Sequence, residues 1–161
     1  LPLCGRRSLP ILRSRTRTEK PEIIMSKAIS SDEALIYLMV IMSAVDTAMN
    51  DAEMARIGRL VRFLPVFSNF EEERLVAVCR DCAKILEGPE GLDIVLEVIR
   101  DAVPPRLYDT AYAIAVEIAS ADYNIQEEEI RLLQMLRDRL GLDKLTCAAI
   151  ERGAIARFRS A

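Results

Sequence analysis

Residues 34–45 read ALIYLMVIMSAV, a run of twelve residues without a charged side chain. A helix that is apolar on every side is buried on every side, and this run is shorter than the roughly 20 residues that cross a bilayer. Ser30 and Glu33, just before the run, have the spacing of a capping box, which is typical of a helix start. The stretch therefore predicts a buried helix at the centre of the fold.

A second run, residues 107–121, reads LYDTAYAIAVEIASA and is almost as apolar. Between and after these runs, apolar residues recur at helical spacing, and Pro or Gly residues separate the segments. The chain has few Gly and Pro and no strand-like alternation. We predict an all-α protein, one compact domain of about seven helices, with the third helix opening at Asn69 and the last covering roughly residues 143–158. For the sixth helix we expect a buried stripe of Ile130, Leu133, Leu136 and Leu140.

Charge divides the chain into two regions. The formal net charge is −3, but residues 1–24 carry about +4 and the remainder about −7. An acidic body argues against a nucleic-acid partner, because phosphate binding needs clustered Lys and Arg. With four Cys and no secretory apolar segment, the helical body is typical of a reduced, cytoplasmic protein.

Residues 1–24 are Arg-rich and interrupted by Pro, and Met25 follows immediately. We treat 1–24 as a basic extension and 25–161 as the helical domain. The extension has three open interpretations. It is a gene start placed upstream of Met25, a disordered basic arm, or an organellar transit peptide.

The sequence contains a weak internal repeat. A shift of 76 residues aligns residues 43–60 with 119–136, placing Asp46 on Asp122 and Glu53 on Glu129. Each unit is then an apolar helix, an Asp at its C-terminal end, a short loop, and an amphipathic helix with a Glu one turn in. We expect two helical hairpins related by a pseudo-twofold axis.

The two Asp residues are candidates for function because an anion at a helix C-terminus is unfavourable by about 0.3–1 kcal/mol. Either loop N–H groups compensate, or the acids hold a cation. Hard oxygen ligands favour Ca²⁺, Mg²⁺ or Mn²⁺. The primary candidate ligands are Asp46, Glu53, Asp122 and Glu129, and the secondary ones are Asp51 and Glu117.

Several other sites can be set aside. Neither loop has the central Gly or the final Glu of an EF-hand, and the chain has no His for a His-containing zinc site or for a nucleophile's base. Cys79 and Cys82 form a lone CxxC on an apolar helix face, which is more typical of two buried thiols than of a redox pair. We expect no enzymatic activity.

The two loop motifs share an Asp, an apolar residue three positions later, a Glu and an apolar helix face. They read Asp46–Met49–Glu53–Ile57 and Asp122–Ile125–Glu129–Leu133. Over roughly residues 30–158 the chain resembles the TerB family, which is linked to tellurite resistance. The resemblance implies an all-helical stress-response module whose acids bind divalent metal and which works beside membrane-bound partners of the TerC type.

The sequence thus favours a TerB-like cation-binding and interaction module, cytoplasmic, placed at the inner face of a membrane only through a partner. A purely structural helical adaptor, with the acids serving as caps, is the alternative. A small metal-dependent hydrolase is the third and least supported interpretation, because it would need an open pocket beside the acids.

Overall fold

The computed structural model describes residues 28–44, 49–122 and 125–160, without the side chain of Asp122. Within these ranges the chain is all-α, as predicted, and no strand is present. The seven α-helices are α1 (Ser31–Ser43), α2 (Asp51–Phe63), α3 (Leu75–Leu86), α4 (Gly91–Ala102), α5 (Tyr108–Ala119), α6 (Glu127–Leu140) and α7 (Lys144–Arg157). No helix of the described part is long and apolar enough to cross a membrane.

Helix α1 is the centre of the fold. The Oγ of Ser30 accepts from the N–H of Glu33, and a Glu33 carboxylate oxygen accepts from the N–H of Ser30, so the predicted capping box is present. Every residue from 34 to 42 is buried. The helix packs against α2, α3, α4 and α5, which explains why none of its faces is polar. The prediction of a buried central helix is confirmed.

Helix α5 is the second core element. It packs against α1, α6 and α7, and it buries seven residues between Ala111 and Ala119. The buried side chains of all seven helices form one hydrophobic cluster. A single core of this kind is typical of one domain. The division at residue 25 lies outside the described residues.

Helix α3 begins later than predicted. Asn69 does not open it, because the chain after α2 first makes two 3₁₀ turns, Pro65–Phe67 and Glu72–Arg74. The N–H of Phe70 bonds the carbonyl of Phe67, a three-residue spacing that does not propagate an α-helix. The α-helix starts only at Leu75, so Asn69 was the wrong start.

Helix α4 starts at a point of close backbone approach. A Cβ on Gly91 would lie 2.4 Å from the carbonyl oxygen of Ile85 and 2.6 Å from the Cα of Leu86. Only Gly allows the start of α4 to lie directly on the end of α3. The result is a tight α3–α4 hairpin beside the C-terminal end of α1.

Helix α6 buries a different stripe from the predicted one. Leu133, Leu136 and Leu140 are buried as expected, but Ile130 is 46% exposed and Leu132 is buried instead. The physical reason is that α6 packs against both α4 and α5, so its buried face is wider and rotated toward Leu132.

Candidate functional site

The N-terminus of α2 is fixed by the first candidate acid. The N–H of Asn50 donates to Oε2 of Glu53 at 2.8 Å, and the N–H of Glu53 donates to Oδ1 of Asn50 at 3.0 Å. In the sequence, Asn50 and Glu53 have the same capping-box spacing as Ser30 and Glu33, which predicts a helix start here, and the structure confirms the box. Only Oε2 of Glu53 is used by the cap, since Oε1 makes no hydrogen bond with the described residues.

The N-terminus of α6 has the same arrangement around the second Glu. The N–H of Gln126 donates to an oxygen of Glu129 at 2.8 Å, and the Gln126 side chain accepts from the N–H of Glu129. Sequence reasoning missed this box because Gln is a rare N-cap residue. The repeat alignment contained the signal, since a shift of 76 residues places Asn50 on Gln126.

The structure describes neither of the two Asp side chains that are primary candidate ligands. Asp46 is outside the described residues, and Asp122 ends the 3₁₀ turn Ser120–Asp122 without a described side chain. Among the described side chains, no group of three or more His, Cys, Asp or Glu residues is arranged to hold a metal ion. The four-acid ligand set therefore stays a prediction, and so does the pseudo-twofold relation of the hairpins.

The secondary candidate ligands, Asp51 and Glu117, lie on different helices, α2 and α5. Asp51 is the exposed first residue of α2. Glu117 in α5 is 22% exposed, and its Oε1 lies 2.9 Å from a guanidinium nitrogen of Arg157. This ion pair joins α5 to the end of α7, and the guanidinium of Arg157 also stacks 5.5 Å from the ring centre of Phe158.

An open groove of about 440 Å³ lies where α1 ends and α6 begins. Ala44, the last described residue of the first hairpin's apolar helix, borders it. So does Glu128, in the first turn of α6. Ala44, the last described residue before the first candidate loop, and Glu128, near the start of α6, therefore border the same groove.

One buried polar atom, one residue before the groove-lining Ala44, has no hydrogen-bond partner in the described part of the chain. The Oγ of Ser43, in the last turn of α1, is buried and makes no hydrogen bond within the described residues. Such atoms usually bond a water or an ion, because an unpaired buried hydroxyl costs about 1–3 kcal/mol. Ser43 stands three positions before Asp46. Sequence reasoning did not single it out.

A second, larger cavity of about 700 Å³ lies at the N-terminal end of α1. Ser31 and Asp32 border it, together with Arg106, Glu117 and Arg157. Of the predicted ligands only Glu117 borders it, and the first candidate loop follows the opposite end of α1. It brings no second candidate acid pair together.

The CxxC thiols are buried, as predicted. Cys79 and Cys82 are free, and the Sγ of Cys82 donates to the carbonyl of Tyr37 at 3.9 Å. Burial raises the pKa of Cys79 from 9.0 to about 11 and that of Cys82 to about 12. A thiol that stays protonated at neutral pH is a poor nucleophile and a poor metal ligand. These two residues are part of the core.

We expect these thiols to react with Ellman's reagent at pH 8 at least about a hundredfold more slowly in the folded protein than in guanidinium, because two units of pKa lower the thiolate fraction by that factor. A Cys4→Ser/Cys147→Ser chain isolates the signal. The folded state holds the thiol protons up to a higher pH than the unfolded chain does. The buried, protonated thiols therefore contribute fully to stability below pH 9, and this contribution declines as the pH rises toward about 11. Rapid labelling of the folded chain would contradict the buried assignment.

The seven helices and the capping boxes at the starts of α2 and α6 define a small all-α domain. Residues 32–152 match the family model described as tellurite resistance protein TerB, and the chain belongs to this family. No curated protein matches the chain. No solved structure matches it either.

Proposed function

We propose that this chain is a tellurite-resistance-type stress-response module that holds a divalent cation in its acidic loops and acts through protein partners. The observation that supports the proposal is the shared groove, because Ala44, which precedes the first candidate loop in the chain, and Glu128, which follows the second, border one space. Family membership supports the stress-response role. The proposal includes no catalytic step.

The chemistry of the described residues is compatible with a hard cation. Glu53 has one carboxylate oxygen outside its capping box. The orphaned Oγ of Ser43 offers a neutral oxygen close to Asp46 in the chain. A cation would also offset the unfavourable position of Asp46 and Asp122 after helix C-termini. Ca²⁺, Mg²⁺ and Mn²⁺ prefer such oxygen ligands, and we propose one of these.

A structural adaptor without metal is the second candidate, and the capping boxes favour it. Glu53 and Glu129 each already satisfy a backbone N–H at a helix start. On this alternative Asp46 and Asp122 would likewise bond loop N–H groups, and the acids would stabilise the hairpins without an ion. With or without a metal ion, the chain is proposed to act by binding protein partners. A cytoplasmic location beside a membrane-bound partner of the TerC type belongs to the proposal.

Thermal unfolding of the full chain separates the candidates. We expect one of Ca²⁺, Mg²⁺ or Mn²⁺ to raise the melting temperature relative to EDTA. Saturation at 100 times the Kd adds roughly 2.7 kcal/mol to the free energy of unfolding. The rise should be lost in Asp46→Asn/Asp122→Asn. The measurement is a melting curve at several concentrations of each ion.

The matched control is Glu71→Gln/Glu73→Gln, which removes two exposed acids before α3, at the other end of α1. It should keep the ion-dependent rise. If no ion moves the melt of the wild-type chain, and Asp46→Asn/Asp122→Asn is merely less stable, the adaptor interpretation replaces the metal proposal.

A further inference from the structure

The groove beside the loops is an apolar surface that the described residues leave uncovered. Ile41 and Ala44 of the first hairpin form its floor with Leu132 and Met135 of α6. Leu92, at the start of α4, is 37% exposed on its edge. Leu92 has helical spacing to the buried Leu96 and Ile99, yet it is itself left partly exposed.

Glu128 borders the groove, and three further Glu residues adjoin bordering residues in the chain, since Glu87 follows Leu86, Glu127 precedes Glu128, and Glu90 stands two positions before Leu92. These four Glu residues are called the rim of the groove. Glu87 and Glu90 flank the α3–α4 turn, and Glu127 and Glu128 form the first turn of α6. All four are exposed and make no ion pair with described residues. Arg131 is the one cation that lines the groove within the described part of the chain.

Other acids near this end are already neutralised. The guanidinium of Arg139 bonds Asp93 at 3.1 Å and Glu97 at 2.6 Å, and Arg100 also bonds Glu97. Those acids hold α4 against α6. The acids of the α4–α6 contact are thus compensated by Arg139 and Arg100, whereas the four Glu residues of the rim make no ion pair with described residues.

We infer that this groove docks a basic amphipathic helix from a partner protein. An apolar groove flanked by charge is the usual receptor for a helix that places its apolar face inward and its charged residues on the rim. Here the complementary charge is positive, because the rim carries four unpaired Glu residues and residues 25–161 about −7. The inference rests on the proposed function only in that the chain acts through protein partners.

The same charge argues against other occupants. An anionic lipid surface or a nucleic acid would be repelled by the rim. Met135 adds to the fit of a helix, since an unbranched thioether adapts its shape to different apolar side chains.

The test uses the full chain and a fluorescein-labelled synthetic helix of about five turns, with Leu on one face and Lys on the other. Two control peptides have the Lys replaced by Glu, or the same residues in scrambled order. Fluorescence anisotropy should give a Kd at least about tenfold lower for the Lys peptide than for either control, and added salt should raise it. Equal affinity for the three peptides would overturn the proposal.

Variants locate the site. Glu127→Lys/Glu128→Lys and Leu92→Gln should each raise the Kd for the Lys peptide about tenfold. The matched controls, Glu71→Lys/Glu73→Lys and Leu145→Gln, change the same residue types elsewhere and should leave it within about twofold. An equal loss in the test and control variants would mean nonspecific attraction to an acidic protein, and would contradict the groove.

Two further outcomes are decisive. Binding that appears only after Arg13, Arg15 and Arg17 are replaced by Glu would mean that the chain's own residues 1–24 occupy the groove, which overturns a partner helix. Binding in EDTA to Asp46→Asn/Asp122→Asn is expected within about threefold of wild type, because other residues line the groove. Failure of the cation site and failure of the groove are thereby distinguished.

Discussion

Replacement of Leu38 by Ala is expected to lower the free energy of unfolding by about 2–5 kcal/mol. Leu38 lies in the middle of α1 and is 0% exposed. The helix is surrounded by α2, α3, α4 and α5, so no neighbour can move into the space without disturbing another contact. Urea unfolding of the two chains, followed by circular dichroism, measures the difference.

Leu145→Ala is the matched control. Leu145 is in α7 and is 81% exposed, so its truncation should change the free energy of unfolding by less than about 0.5 kcal/mol. A loss at Leu38 no larger than the loss at Leu145 would show that α1 is not the centre of the core.

Arg74→Met is expected to lower the free energy of unfolding by about 2–4 kcal/mol, because it removes the guanidinium that bonds the buried carboxylate of Glu33. The guanidinium of Arg74 bonds Glu33, whose side chain is 6% exposed. Arg74 is itself 42% exposed, which places the effect below that of a fully buried pair. The guanidinium also lies 5.7 Å from the ring centre of Phe70, so the change removes a second contact.

A double-mutant cycle isolates this pair. Glu33→Gln/Arg74→Met should recover part of the stability lost in Arg74→Met, since the buried charge is then absent. Arg62→Met breaks the ion pair with Glu72, in which both side chains are about half exposed, and should hardly change the free energy of unfolding. Equal losses for Arg62→Met and Arg74→Met would contradict the buried role of Glu33.

Much of the fold could be predicted because its signals are local. The uncharged run at 34–45 predicted a buried α1, and Ser30 and Asn50 predicted two helix starts from their capping spacing. Gly141 ends α6 with a φ of 65°, the left-handed conformation that Gly adopts without strain. These features depend on a few neighbouring residues.

The wrong predictions depended on contacts between distant parts of the chain. Acids near Asn69 suggested a helix start, but Arg74 bonds Glu33, which is 41 residues away, and the chain reaches α3 through 3₁₀ turns. Ile130 fitted the stripe of α6 by spacing, yet which face is buried was decided by α4. No pattern within one helix contains that information.

The candidate site was predictable only in part. Spacing predicted the box of Asn50 and Glu53, and the box of Gln126 and Glu129 occupies the equivalent positions in the repeat alignment. The groove and the unpaired Oγ of Ser43 could not be predicted, because both depend on how helices from different parts of the chain meet.

Equilibrium dialysis of the full chain against Mn²⁺ tests the central proposal most directly. Mn²⁺ shares the preference of Ca²⁺ and Mg²⁺ for oxygen ligands. We predict saturable binding of one or two ions per chain in the wild type and in Glu71→Gln/Glu73→Gln, and its loss in Asp46→Asn/Asp122→Asn. Binding that is absent from the wild-type chain, or unchanged when both Asp residues are replaced, would contradict a cation site in the acidic loops.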